Sequence, residues 1–248
     1  MSSDSRHRVI VVGASSGLGR YIAQAYADRG CQVGIAARRS ELLQDICSSH
    51  PGMAWREIDV TAPDAASRLQ QLIADNGGMD TLVMTAGCGW NDPTLDEARS
   101  QRTVQVNALG FSNIVLEAFR YFRDNGIKGH ICAITSIAGT RGIGVSAMYS
   151  ATKRFEWTLL QGLDQLSHIQ RLGIGITDIR PGFVDTDLLD TATRHYPMTM
   201  TVDYAGRRIV RAIDRRRRVA VIDWRWAVVT ALWRLIPGWL WRRLPLKG

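Results

Sequence analysis

Short apolar, β-branched runs alternate with longer stretches of helical period along most of the chain. The first run, Arg8–Val12, ends in glycine, and apolar positions then recur at helical spacing from about Gly17 to Arg29. Further strand-like runs lie at Gln32–Ala36, Ala54–Ile58, Thr81–Met84, His130–Thr135, Ile174–Ile179 and Val219–Ile222, and helical segments begin near Ala62, Leu95, Ser146 and Val202. Seven short strands separated by helices predict a parallel sheet covered on both faces, because parallel neighbours need crossovers that return over the sheet. The expected class is therefore doubly wound α/β. No linker or repeat interrupts the pattern, and residues 224–248 are too few for a second core. One domain over 1–223 with a C-terminal extension over 224–248 is the expected organisation.

Composition narrows the classes. With 46% hydrophobic and 22% charged residues the chain has enough apolar side chains for a substantial core, which excludes disordered and collagen-like readings. Cys31, Cys47, Cys88 and Cys132 form no CxxC pair and no metal-type cluster with the histidines, so neither a disulfide framework nor a metal site is expected; the cysteines read as small core residues. The polar opening MSSDSRHR is followed by only four apolar residues, too short for a signal peptide, and a cytoplasmic location is expected.

The formal charge of +8 is uneven. Residues 205–248 hold 12 Lys and Arg against Asp214 and Asp223, which leaves a net −2 over residues 1–204. The basic run Arg215–Arg218 lacks base-reading or stacking partners and reads as a solvated face, so no nucleic-acid partner is expected.

Between the first strand and first helix stands Gly13-Ala14-Ser15-Ser16-Gly17-Leu18-Gly19. Glycines at this spacing let the backbone approach a pyrophosphate, and the following helix offers free N–H groups and a positive dipole end. The position marks a Rossmann-type dinucleotide loop, the alternative being a tight βα turn without ligand. After the second strand, where a carboxylate would meet a ribose 2′-OH, the chain has Ala36, Ala37, Arg38 and Arg39. A guanidinium suits a 2′-phosphate, so Arg38 points to NADP(H) over NAD. Asp59 and Val60 follow the third strand where an adenine ring is met, although a strand-end Asp is also a common cap.

Tyr149 and Lys153 are spaced i, i+4 on a predicted helix and share one face. A phenol is a poor acid or base at neutral pH, but a neighbouring ammonium favours its phenolate, so the pair suits proton exchange with a carbonyl or alcohol. Ser136 ends the fifth strand, where its hydroxyl would hold the reacting oxygen; its bland reading is a cap.

Glycine loop, Ser136, Tyr149 and Lys153 in this order resemble the short-chain dehydrogenase/reductase family. The resemblance spans about residues 8–222 through VGASSGLG, ARR, DV at 59–60, TAG at 85–87, VNALG at 106–110, TSIAG at 135–139, YSATK at 149–153 and RPGFVDT at 180–186. It implies a catalytic tetrad of Asn107, Ser136, Tyr149 and Lys153. Tyr149 would be the acid/base, Ser136 would position the substrate oxygen, Lys153 would lower the tyrosine pKa and bind the nicotinamide ribose, and Asn107 would hold a water linking Lys153 to solvent. It further implies cofactor contacts at Gly13, Ser15, Ser16, Gly17, Leu18, Gly19, Ala86, Gly87, Tyr149, Lys153, Pro181, Gly182, Val184 and Thr186. Thr85 departs from the family's asparagine, which puts one strand-bracing or ribose contact in doubt.

The expected activity is NADP(H)-dependent interconversion of a carbonyl and a secondary alcohol, mainly as a reductase. Leu188, Leu189, Tyr196, Met198 and Met200 suggest an apolar lid and so an apolar ketone or aldehyde such as a lipid or steroid; His195 reads as a loop residue. Residues 224–243 carry five of the eight tryptophans and are broken at Pro237-Gly238, too short to span a bilayer. They suit packing on the domain or a subunit of the homodimer or homotetramer the resemblance implies, with peripheral membrane contact as the alternative. A cofactor-binding regulator or a membrane-associated scaffold with little turnover is the competing class.

Overall fold

The computed structural model describes residues 6–189 and 196–245. Seven strands form one fully parallel sheet: β1 (Arg8–Val12), β2 (Gln32–Ala37), β3 (Ala54–Glu57), β4 (Thr81–Met84), β5 (His130–Ile134), β6 (Gly175–Pro181) and β7 (Val219–Ile222), in the order β3-β2-β1-β4-β5-β6-β7. The order reverses between β1 and β4, and this switch point opens a crevice at the C-terminal ends of both strands.

The covering helices are α1 (Gly17–Ala27), α2 (Ser40–Ser49), α3 (Ala65–Asp75), α4 (Glu97–Val104), α5 (Phe111–Asp124), α6 (Ala147–Ile169) and α7 (Val202–Asp214), followed by α8 (Trp224–Leu235) and α9 (Gly238–Trp241). Alternation along β1 divides the core. Val9 and Val11 face α1, α2 and α7, whereas Ile10 and Val12 face α3, α5 and α6. Full burial of each such side chain is worth about 1.5–3 kcal/mol, so the two apolar layers dominate the stability.

Two helix starts differ from the sequence expectation for a local reason. Asp59 Oδ1 accepts from Thr61 N and Oγ1 at 2.9 and 2.7 Å, a turn that delays α3 to Ala65. Asp96 caps α4 by accepting from Arg99 N at 2.8 Å, leaving Leu95 outside with φ 56°. Helix α2 was not expected from the pattern: only Leu43 and Ile46 are buried on it, one apolar contact per turn. Between α4 and α5 the backbone forms a π-helical turn, Gln105–Gly110, with Asn107 buried at its centre.

The C-terminal extension folds back. Trp226 is buried against Phe183 with ring centroids 5.5 Å apart, and Trp233 continues the contact to Trp226 and Trp241. Trp241 Nε1 donates to Gly142 O at 2.8 Å. Among the described residues no helix is long and apolar enough to cross a membrane.

Candidate active site

Strands β1 and β4 end side by side, and the loop leaving β1 must turn without touching β4. Gly13 does so at φ 97°; a Cβ there would lie 2.5 Å from Ala86 N and from Thr85 Oγ1. The loop is pinned by Gly13 N and Ala14 N, which donate to Ala36 O at 2.7 and 3.1 Å. Thr85 Oγ1 donates to Val12 O at 2.9 Å, so threonine supplies the strand brace that its departure from the family pattern had put in doubt. Ala86 N donates to the same carbonyl at 3.1 Å. Helix α1 starts at Gly17 after an extended Ser16 whose side chain makes no cap bond, and Leu18 leans onto the core. Gly19 is wedged against Gly13 O, closing the helix onto the strand.

The guanidinium that reaches this loop is Arg39. Its Nη2 lies 3.0 Å from Ser15 Oγ and 2.8 Å from Ser16 Oγ. The sequence reading had put the weight on Arg38, which is exposed and whose charge acts on Asp59 and Cys88. Arg39 stands beside it in the same basic pair, and both side chains are exposed. Burial raises the Asp59 carboxyl, but the Thr61 bonds and the charges of Arg102 and Arg38 outweigh it and hold it below the usual range. Val60 is buried against Gly110, and its carbonyl accepts from Asn113 Nδ2 at 3.3 Å.

On the other side of the crevice, β6 ends at Pro181 and Gly182 packs beneath the Trp226 indole. Val184 forms a parallel bridge to Met200, and Thr186 crosses the glycine loop, its Cγ2 3.1 Å from where a Gly17 Cβ would sit. The expected lid is largely committed to packing: Tyr196 and Met200 are buried and Met198 leans on the same core layer. Leu188 is exposed. His195 lies outside the described residues.

Helix α6 presents Tyr149 and Lys153 to the loop after β4. A Cβ on Gly89 would lie 2.8 Å from Tyr149 Cε2, and one on Gly87 would lie 3.3 Å from Lys153 Nζ and 3.4 Å from Asn107 Oδ1. Three of the four expected catalytic residues therefore gather around residues 87–89. Lys153 Nζ stands 5.6 Å from the Tyr149 ring centroid. The Asn107 side chain is fully occupied: Nδ2 donates to Cys88 O at 2.7 Å and Thr152 Oγ1 at 3.1 Å, and Oδ1 accepts from Cys88 N at 2.9 Å. It braces the π-helical turn, the β4 loop and α6 together.

Ser136 lies two residues beyond the end of β5, 8% exposed, with its Oγ accepting from Ala138 N at 3.1 Å. One residue earlier, Thr135 accepts from Trp157 Nε1 at 2.9 Å and donates to Asp178, which ties β5, β6 and α6 into one rigid unit. A narrow cleft beside Tyr149 mixes apolar Trp90, Leu95 and Met148 with polar Asp92, Arg99, Ser100 and Thr103. A larger cavity of ≈ 620 Å³, lined by Thr140, Arg141, Arg154 and Trp241, lies on the opposite face of α6, away from Tyr149 and Lys153. Among the described residues no cluster could hold a metal ion.

Comparison with known proteins agrees with this geometry. The family model for short chain dehydrogenases matches residues 7–197. An uncharacterized oxidoreductase of Myxococcus xanthus is 32% identical over 251 residues, covering 96% of each chain, and one of Mycobacterium tuberculosis is 29% identical over 252 residues. Among solved structures, a short chain dehydrogenase from Burkholderia cenocepacia in complex with NADP superposes with a TM-score of 0.83 at 21% identity, over 98% of this chain and 99% of that one. ElxO with NADP bound gives 0.78 over 90% and 99%. With a crevice at the switch point, a glycine loop on β1 and a matched family model over most of its length, the chain belongs to the short-chain dehydrogenase family of oxidoreductases.

Proposed function

We propose that the protein is an NADP(H)-dependent carbonyl reductase in which Tyr149 exchanges the proton. The observation that carries this reading is the convergence of Tyr149, Lys153 and Asn107 on residues 87–89, at the edge of the crevice that the glycine loop lines. The loop fits a dinucleotide phosphate: its backbone is exposed by glycine, and Arg39 sits on Ser15 and Ser16 ready to meet a 2′-phosphate, with Arg38 on the Asp59 side. The neighbours from Burkholderia cenocepacia and ElxO hold NADP in the same fold.

When bound, the reduced nicotinamide supplies the hydride for the carbonyl carbon. The chain's own residues do the rest. The glycine loop would hold the pyrophosphate and Arg39 the 2′-phosphate, while Thr186 and Val184 would meet the nicotinamide. Ser136 donates to the carbonyl oxygen and fixes it beside the Tyr149 hydroxyl, which gives up its proton to that oxygen as the alcohol forms. Lys153 favours the phenolate left behind. Trp90, Leu95 and Met148 in the cleft, with exposed Leu188, support an apolar ketone or aldehyde as substrate.

The test is NADPH oxidation with phenanthrenequinone as probe, beside tryptophan-fluorescence titrations with NADPH and NADH. Y149F is expected to lose on the order of 10² to 10⁴ in rate while still binding NADPH. Near-full turnover in Y149F, or preference for NADH, overturns the reading.

A separate proposal concerns α8 and α9. At helical spacing Trp224, Val228 and Leu235 share the face opposite buried Trp226 and Thr230, and all three are at least half exposed. Residues 224–248 contain five basic residues and no acid. Arg225 is paired with Asp223 at 2.7 Å, and the charges of Arg234, Arg242 and Arg243 beside these apolar side chains complement an anionic lipid surface; peripheral docking on such a bilayer is the role assigned to this face. The homo-oligomer implied by the resemblance would use another face, where Leu109, Phe155 and Ile169 are exposed on the π-helical turn and α6.

A further inference from the structure

One turn beyond Lys153 on α6, Glu156 is fully buried and turns both carboxylate oxygens to the lysine, at 2.9 and 3.0 Å from Nζ. Packing alone does not require this residue. The position faces the core, where an apolar side chain avoids desolvating two charges, and a buried ion pair is weak evidence for stability. Its geometry is specific to the site. An ammonium has three donors, and the two contacts to Glu156 leave one for a partner elsewhere.

Every charge near the pair can be named. Tyr149 and Lys153 lie on the same helix, and the loop after β4 brings Cys88 to Lys153. Strand β6 brings Asp178, whose charge opposes ionisation of Glu156; Asp178 is itself paired with Arg180, which stacks 3.5 Å over Trp157. Burial pushes the Glu156 carboxyl up to about 7, against the pull of Lys153.

We propose that Glu156 is a positioning residue that fixes Lys153 Nζ and offsets its charge, so that Tyr149 faces a lysine–glutamate unit instead of a lone ammonium. The inference rests on the reading of Tyr149 as proton donor. With Glu156 ionised the unit is neutral, and with Glu156 protonated it carries a full positive charge. A positive charge beside a phenol favours the phenolate, so removing the carboxylate must favour proton loss from Tyr149.

The test needs no substrate. The phenolate absorbance of the full-length protein with saturating NADP⁺ is titrated against pH, and the Y149F titration is subtracted to isolate one tyrosine. E156Q and E156M are expected to move the midpoint to lower pH by on the order of one unit, the size expected of a unit charge several ångströms off at an effective dielectric near 20. E156D, which restores the charge, is expected to return the midpoint toward the wild type. A residue that only filled space would alter melting temperature and leave the midpoint in place. An unmoved or raised midpoint in E156Q overturns the proposal, as does failure of both E156Q and E156M to fold while E156D folds. If Y149F keeps its turnover, the proton-donor reading falls instead. An inactive Y149F beside an unmoved E156Q midpoint removes only the role of Glu156.

Discussion

Arg39 Nη2 lies 2.8 Å from Ser16 Oγ, so the second of two adjacent arginines, and not the first, is in direct contact with the glycine loop. Hydrogen bonds to charged groups are worth about 1.5–3 kcal/mol, or roughly ten- to a hundredfold in affinity. R39A is expected to weaken NADPH by that factor and to leave NADH within about twofold, read by fluorescence titration. Equal losses for both cofactors would remove Arg39 from the 2′-phosphate.

Gly89 is pressed against the Tyr149 ring, where a Cβ overlaps Cδ2. G89A must displace the ring. A misplacement of about 1 Å at a reacting group costs up to 10²-fold, so kcat is expected to fall ten- to a hundredfold while NADPH affinity and melting temperature stay near the wild type. A G89A protein with unchanged kcat would show that the ring position is not critical.

His130 is buried, its Nε2 2.8 Å from Thr177 Oγ1, and its pKa is lowered to about 4 by burial and by the charges of Arg216 and His7. A depressed folded pKa gives stability that is present above the unfolded value of 6.5 and is lost as pH falls toward 4. The loss amounts to about 3 kcal/mol across that window. Glu156, raised by burial, acts in the opposite direction over an overlapping range. The informative quantity is therefore the difference in unfolding free energy between wild type and H130Q: it should vary between pH 6.5 and 4 and be flat outside it. A pH-independent difference would mean that His130 keeps its ordinary pKa in the folded protein.

Leu235 is 78% exposed at the end of α8, beside Arg234. If α8 and α9 dock on lipid, the protein should co-sediment with phosphatidylglycerol vesicles, less so in high salt, and weakly with phosphatidylcholine. L235E should reduce the bound fraction several-fold without lowering melting temperature. Recovery in the pellet unaffected by L235E, or no binding to either vesicle, would defeat the lipid proposal and leave this face to a protein partner.

Much of this architecture was legible because its signals are local. Most strands are compact runs with β-branched residues, β3 being the exception, and Gly13 follows β1 at the one place where a dinucleotide loop belongs. Helix α2 escaped because two buried residues give too faint a period. Tyr196 and Met200 were misjudged as lid for a different reason: an apolar residue in a loop looks the same whether it covers a ligand or fills the core, and only the bridge between Val184 and Met200 distinguishes the two. Glu156 was invisible in a different sense. Its sequence signal, an acid three residues after a lysine, is what countless exposed helices show, and its significance comes from burial, a tertiary property.

The π-helical turn at Gln105–Gly110 holds one more residue than a regular helical turn would need. Loss of a single codon there would restore an ordinary helical turn, but at the expense of the register between α4 and the buried face of α5. It would also rotate everything beyond it by one residue's step and carry Asn107 away from Cys88 and Thr152. Point substitutions can wear this site down gradually, but a one-residue deletion in this turn would dismantle the Asn107 brace in a single event.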